Sequence, residues 1–500
     1  MKHKNAIILS TIFLIVLSLR LLIAFQTQDV TYDAYSTLRN IDNIKTTGLP
    51  LYQDDLSYSG RQNAFSPLYY YILAIFSLII PEILVLKILP NIFATSIIFI
   101  VYLFAKHLSK NETAALISAG AAALIPVFFS KTINNASIYT LTIPLFFLAL
   151  YYFIKTVGDT KNLWKFLASI TLLTLTHASS LILALSLLIY VVLLKLQGFK
   201  KTTKEPELLL FSILLIIWAN LTIYKRAIIM HGSNVIYQNT PIQIIFDIFK
   251  EITFIEGLYW IGTIPLLFGV IAIYDTVFGS RKKSITALIA VCITSFLLLW
   301  FRLINIYVGL MFLGISMSIL ASNTITKTRM YAGNLKLKIA KPITTTLIII
   351  LIIISFIPSI NYAVKESKNI VSEQDKMLFH WIKNNTKENA IILTMPSEGA
   401  VLSYYTKRKN AIDTNYLLIP NIDVKYNELQ KIYTDKFLIP SLTKLNYYSI
   451  DYILLSQKTM NQKNITNLFY EDNNCIEEVY YKITQNSPKL YKINCVVLLD

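Results

Sequence analysis

Apolar runs of about 20 residues recur along most of the chain, near 6–25, 84–106, 113–130, 138–155, 162–177, 179–196, 206–224, 256–276, 285–301, 303–320 and 342–360. As helices, runs of about this length cross about 30 Å of hydrocarbon. Eleven spans are therefore predicted. A further stretch, 67–80, is shorter, and whether it crosses sets the orientation of everything after it. From about residue 361 the pattern changes: apolar runs shorten to strand length and alternate with amphipathic segments. The periodicity predicts helices over 372–384 and 424–433 and strands over 390–395 and 451–456. It also predicts a hairpin from 475–484 and 490–499, turning at 485–488. The expected fold is a polytopic α-helical membrane domain over 1–360, with a long first loop at 26–83. A small α/β domain follows over 361–500.

Composition agrees. The hydrophobic fraction is 55%, against about 45–50% apolar in soluble domains, and mean hydropathy is +0.54. A net charge of +17 can signal nucleic acid, but the Lys and Arg residues punctuate the apolar runs, as cytoplasmic loops and headgroup anchors do. Nucleic acid is therefore not an expected partner; membrane lipids are. The run 6–25 follows Met1, Lys2, His3 and Lys4 with no small-residue cleavage site after it, so a retained helix is expected.

If 67–80 does not cross, the cytoplasmic segments become 1–5, 106–112, 155–165, 195–204, 281–283 and 324–341, and every one is basic. The N-terminus then lies inside the cell membrane and the C-terminal domain outside. The first loop, with Asp29, Asp33, Asp42, Asp54, Asp55 and Glu82, lies outside too. The run Tyr69, Tyr70, Tyr71 suits 67–80 to the outer interface.

Candidate chemistry gathers on that outer side. A helix through 33–47 would carry Asp33, Tyr35, Leu38, Ile41 and Ile44 and lie along the membrane surface, with Arg39 on it. A carboxylate at a low-dielectric boundary is costly unless it is paired or used. Asp33 is either a general base or metal ligand in a transfer reaction, or a solvated loop aspartate. Arg302 sits tightly between two spans, where it either holds a phosphate or snorkels to headgroups. His177, in the turn between two short spans, either contacts substrate or holds the turn. Lys225 and Arg226 lie just outside a span as headgroup anchors. Three cysteines occur. Cys292 is in a span, and Cys475 and Cys495 face each other in the predicted hairpin, as a disulfide or as two half-buried thiols. No His/Cys cluster has metal-ligand spacing.

The segment Tyr32-Asp33-Ala34-Tyr35-Ser36-Thr37-Leu38-Arg39, with Gly48, Tyr52, Ser57, Tyr58, Gly60, Arg61 and Pro67, resembles the first external loop of the catalytic subunit of oligosaccharyltransferase. More broadly it is similar to the GT-C glycosyltransferases, including protein mannosyltransferases and aminoarabinose transferases. The resemblance implies that Asp33 is catalytic and that a polyprenyl-phosphate-linked sugar lies near it. It implies Arg302, with Arg61 or Arg39, as donor-phosphate contacts, and Tyr35 and His177 as further substrate contacts. Thr394 to Gly399, with Tyr404, Tyr405, Arg408 and Asn410 to Asp413, is similar to the region of the WWDYG signature that reads an acceptor sequon. The tryptophans and aspartate of that signature are absent here. Where the family places acidic metal ligands in the second external loop, this chain has Asn134 and Asn135, and amides bind a hard cation more weakly than carboxylates. Asp33 is then the metal ligand if there is one, and no cofactor is certain.

The expectation is a membrane glycosyltransferase of inverting GT-C type, moving a sugar from a polyprenyl-phosphate-linked donor to a glycan, lipid or protein acceptor on the outer face. Oligosaccharyl or surface-glycan transfer by a divergent relative is the nearest alternative. A transporter of lipid-linked sugars is a different class. It needs broken or polar helices at the midplane, and these spans show few charges near their centres and no inverted repeat.

Overall fold

The computed structural model describes residues 2–199, 204–279, 282–335, 339–472, 474–480 and 487–497. The predicted hairpin turn at 485–488, and the basic segments 195–204, 281–283 and 324–341, lie partly outside these residues. The chain folds as two compact units. One holds Met1–Gln28, Phe65–Lys225 and Asp247–Lys368. The other holds Asp29–Ala64, Arg226–Phe246 and Asn369–Asp500.

The first unit is helical, and all eleven predicted spans fall on its helices. Among the described residues, seven helical segments are long and apolar enough to cross a membrane, from His3–Ala24 to Ala340–Ser367. The pair Phe254–Ile261 and Thr263–Phe278, bent by 85°, passes the same test only when taken together, as one broken span or a re-entrant loop. Gly262 makes the bend with a left-handed φ of 94° that a side chain would resist. The three remaining spans are shorter: Glu112–Ala123 continued by Pro126–Ser130, Leu163–Thr176 and Ser180–Leu196. The stretch 67–80 forms the helix Leu68–Ser77. Its ten residues extend about 15 Å, half the hydrocarbon thickness.

Ile306–Asn334 is the most buried of the spans, with 94% of its apolar window inside the protein. A side chain at Gly314 would meet the Ile261 carbonyl at 2.9 Å, so only glycine lets these backbones approach. Among the described residues, two cations are buried in this unit. Lys87 donates to the Ala24 and Thr27 carbonyls at the C-terminal end of the first helix. There its charge meets the negative end of the helix dipole. Arg20 donates to Asn91 at 2.9 Å and Thr132 at 2.6 Å and stacks on Phe129.

The second unit is α/β. Its mixed sheet runs in the order Lys409–Asn410, Ile391–Leu393, Tyr452–Leu455, Lys489–Ile493, Ile476–Tyr480. The first two junctions are parallel and the last two antiparallel. The predicted helices and strands of the tail appear as Glu373–Asn385, Ile422–Ile432, Ile391–Leu393 and Tyr452–Leu455. Cys475 and Cys495 form a disulfide across the hairpin. The first loop joins the sheet: the ribbon Gln53–Asp54/Arg61–Gln62 presents the Leu56 carbonyl to the Asn410 amide at 2.7 Å. Asn239 ties in the segment 226–246 by donating to the Tyr416 and Ile419 carbonyls, both at 2.8 Å.

Candidate active site

The helix predicted over 33–47 is Ala34–Thr47. Tyr35, Leu38 and Ile41 form its buried face, and Gly48, at φ 78°, ends it with an N–H to the Ile44 carbonyl. Asp33 immediately precedes the first turn and is exposed, whereas Asp29 and Asp54 in the same loop are buried. Pairing with a cation accounts for the burial of the other two. Asp29 pairs with Lys376 at 3.1 Å and accepts the Tyr35 hydroxyl at 2.7 Å. Tyr35 also bonds Tyr405 at 2.8 Å, and burial with these neighbours raises its phenol well above the ordinary range. Asp54 takes Arg39, and Asp413 takes Arg61 at 3.0 Å. Both arginines are therefore engaged by buried carboxylates within the second unit.

The parallel strands Ile391–Leu393 and Tyr452–Leu455 each run into a helix, Pro396–Thr406 and Gln457–Lys463. The carboxyl ends of parallel strands are where such sheets bind ligands. Glu398 stands there in the first turn of one helix, and Ser456, Lys458 and Thr459 begin the other. Glu398 is fully buried and accepts the hydroxyls of Ser456 and Thr459, the latter at 2.6 Å. Asp375, at the start of helix Glu373–Asn385, accepts the Ser372 hydroxyl at 2.7 Å and the Gln457 amide at 3.2 Å. Burial raises both acids above the usual carboxylate range. The Lys458 ammonium lies 3.6 Å from the centre of the Tyr32 ring. Burial lowers it, while the charges of Glu398, Asp33 and Asp375 act in the opposite sense. Asp33 thus shares one electrostatic neighbourhood with a half-buried lysine and two perturbed acids, the pattern that marks functional sites. Lys458 and Asp375 were not singled out from the sequence. A Ser-x-Lys-Thr step directly after a buried strand was the signal available for Lys458.

Arg302 and His177 belong to the first unit. Arg302 occupies the turn between Lys283–Trp300 and Ile306–Asn334 with a left-handed φ of 54°. It is exposed, and its guanidinium lies 5.7 Å from the Phe249 ring centre. His177 caps Leu163–Thr176: its Nδ1 accepts the Ser179 amide at 3.1 Å, and its ring meets Tyr139 edge-on at 5.1 Å. The amides of Asn134 and Asn135 hold the loop backbone, Asn134 donating to the Ser367 carbonyl and Asn135 to that of Lys131. Among the described residues no three His, Cys, Asp or Glu side chains come together to hold a metal ion.

No protein-family model matches the chain, and neither does any curated protein. Solved structures do match. The Archaeoglobus fulgidus oligosaccharyltransferase in its apo form superposes with a TM-score of 0.70 at 15% identity, covering 93% of this chain and 71% of that one. The same organism's enzyme with an inhibitory peptide and dolichol-phosphate gives 0.63 at 14% identity, over 92% and 70%. ArnT from Cupriavidus metallidurans, bound to undecaprenyl phosphate, gives 0.57 at 9% identity, over 96% and 97%. The chain is thus a multi-pass helical membrane protein with a small C-terminal sheet, and its fold is that of these GT-C glycosyltransferases.

Proposed function

We propose that this protein is a membrane glycosyltransferase that moves a sugar from a polyprenyl-phosphate-linked donor to an acceptor hydroxyl on the outer face, with the N-terminus inside. Two of the structures it resembles hold a polyprenyl-type phosphate, dolichol-phosphate and undecaprenyl phosphate. The observation that carries the assignment to a site is Asp33: an exposed carboxylate directly ahead of a helix with a buried face, its charge acting on the half-buried Lys458.

In this reading Asp33 accepts the proton of the acceptor hydroxyl as its oxygen attacks the anomeric carbon. The bond from that carbon to the phosphate oxygen breaks, polyprenyl phosphate leaves, and configuration inverts. Lys458 places an amine in the electrostatic neighbourhood of Asp33. Tyr35 acts as a positioning residue, because its hydroxyl is held by Asp29 and Tyr405 and fixes the first turn of the helix behind Asp33. Arg39 and Arg61, through Asp54 and Asp413, hold the rest of the loop in place. His177 sets the shape of its turn.

The test uses purified full-length protein in liposomes supplied with lipid-linked sugars extracted from the native membrane. Release of free polyprenyl phosphate, read by mass spectrometry, is expected with the protein and not without it. Movement of intact lipid-linked sugar across the bilayer with no release would replace this reading with transport.

A further inference from the structure

The second unit contains a cavity of about 890 Å³ whose lining includes neither Asp33 nor Lys458. Its walls come from the tip of the first-loop ribbon, the loop before Ile422–Ile432, that helix, and the end of Leu438–Tyr447. Lys425 stands between two aromatic rings here, 5.0 Å from the centre of Tyr58 and 5.2 Å from that of Tyr448. The other cations of the lining have carboxylates: Arg61 has Asp413, and Lys444 has Asp435 at 2.6 Å. Lys425 has none within 4.0 Å among the described residues. Glu428, one turn along the same helix, is taken by the Tyr448 hydroxyl. Nε of Arg61 is buried without a hydrogen-bond partner. A largely desolvated ammonium held only by ring faces is an anion site waiting for its counter-charge.

The rest of the lining narrows the ligand. Tyr447 is 74% exposed beside Tyr448, so the cavity offers flat aromatic surface that suits the C–H face of a pyranose. The polar groups of the wall, with Glu428 as an acceptor, suit hydroxyls. Glu428 in the wall disfavours dense negative charge, as in phosphate or an acidic peptide, more than one carboxylate on each sugar ring. The rim is also preformed. Tyr58, Ser59, Leu418 and Asn421 all hold left-handed backbone, at φ 51°, 67°, 63° and 47°. Such conformations persist only where surrounding structure imposes them.

We propose that this cavity binds an anionic saccharide, a short sugar chain whose carboxylate meets Lys425 while its rings stack on Tyr447 and Tyr448. The site is separate from the transfer reaction and goes beyond it: it would hold the acceptor or product chain away from the reacting bond. Burial pulls Lys425 down to about 8. The groups around it are Tyr58 and Arg61 from the ribbon, Glu428 on its own helix, and Lys444 and Tyr448 from the neighbouring helix end. The charge is thus present at pH 7 and mostly gone by about pH 9, one unit above that value.

The experiment is calorimetric titration of the full-length protein in nanodiscs with trigalacturonate, its methyl ester, inorganic phosphate and hexaglutamate. Trigalacturonate is expected to bind in the micromolar to millimolar range. Its affinity should fall about tenfold or more in Lys425→Met, consistent with loss of a charged hydrogen bond. A similar fall is expected from pH 7 to pH 9, while Lys425→Arg restores binding and Tyr447→Ala weakens it severalfold. No binding, equal binding of the methyl ester, or equal binding of phosphate or hexaglutamate overturns the proposal. An unchanged affinity in Lys425→Met at an unchanged melting temperature does so as well. Sugar transfer is read separately, so loss of one result leaves the other standing.

Discussion

Asp413 fastens the first loop to the tail sheet, and its removal should release that loop selectively. Its carboxylate accepts Arg61 through both oxygens, at 3.1 and 3.0 Å, the Ser57 hydroxyl at 2.6 Å and the Asn415 amide at 2.9 Å. Its carbonyl takes the Tyr58 hydroxyl at 2.8 Å. In Asp413→Ala the Arg61 guanidinium, whose side chain is 5% exposed, keeps the Asn415 carbonyl as acceptor and the Tyr58 ring face at 4.9 Å, but no carboxylate. Removing one member of a buried pair costs about 3–5 kcal/mol, because the other charge stays buried. At about 1.4 kcal/mol per factor of ten, this raises local opening at least about 100-fold. Hydrogen-exchange mass spectrometry reads it at the amides that lock the ribbon: Asn410 to Leu56, Gly60 to Ser57 and Asn63 to Tyr52. Peptides from Ile306–Asn334 should not change. Replacing both partners, Arg61→Met with Asp413→Leu, should cost less than the two single changes together, since no lone charge remains. A rise in exchange below about tenfold, or an equal rise in every peptide, would refute the reasoning.

Three other outcomes follow from the tail. Gly399→Ala places a Cβ 2.2 Å from the Ile412 carbonyl; thermal unfolding should show a loss of about 1–3 kcal/mol. The disulfide closes a separation of 20 residues, so Cys475→Ser should cost about 3 kcal/mol by the chain-entropy relation, read by denaturation of the oxidised and reduced proteins. Glu398 is held above the ordinary carboxylate range by burial. The native state therefore keeps a proton that the unfolded chain has lost, and stability falls as pH rises from the ordinary value through the raised one. The melting temperature of Glu398→Gln relative to wild type should accordingly climb across that window. A difference that stays flat would show that Glu398 carries no such linkage.

The spans were legible because a run of about twenty apolar residues has few other uses. The helix 34–47 was legible because Tyr35, Leu38 and Ile41 repeat at helical spacing. The tail helix at Glu373–Asn385 was legible from the amphipathic pattern over 372–384. What sequence shows of a charge is its position and not its partner. Arg39 and Arg61 stood out as cations beside a carboxylate, yet Asp54 and Asp413 engage them only once the ribbon has folded onto the tail sheet. Lys87 lay inside a predicted span and passed unnoticed. The carbonyls that satisfy it belong to the end of the first helix, far away along the chain. Lys458 was hidden for the same reason: its neighbours come from the first loop and from two separate tail helices, a juxtaposition no local pattern encodes.

The central claim is that Asp33 performs proton transfer during sugar transfer. The most direct measurement is the rate of polyprenyl phosphate release by Asp33→Asn in liposomes, alongside donor binding and melting temperature. A positioned general base contributes about 10²–10⁴-fold, so the rate should fall by that factor while donor affinity and melting temperature stay at wild-type values. Release at the wild-type rate by Asp33→Asn would contradict the claim.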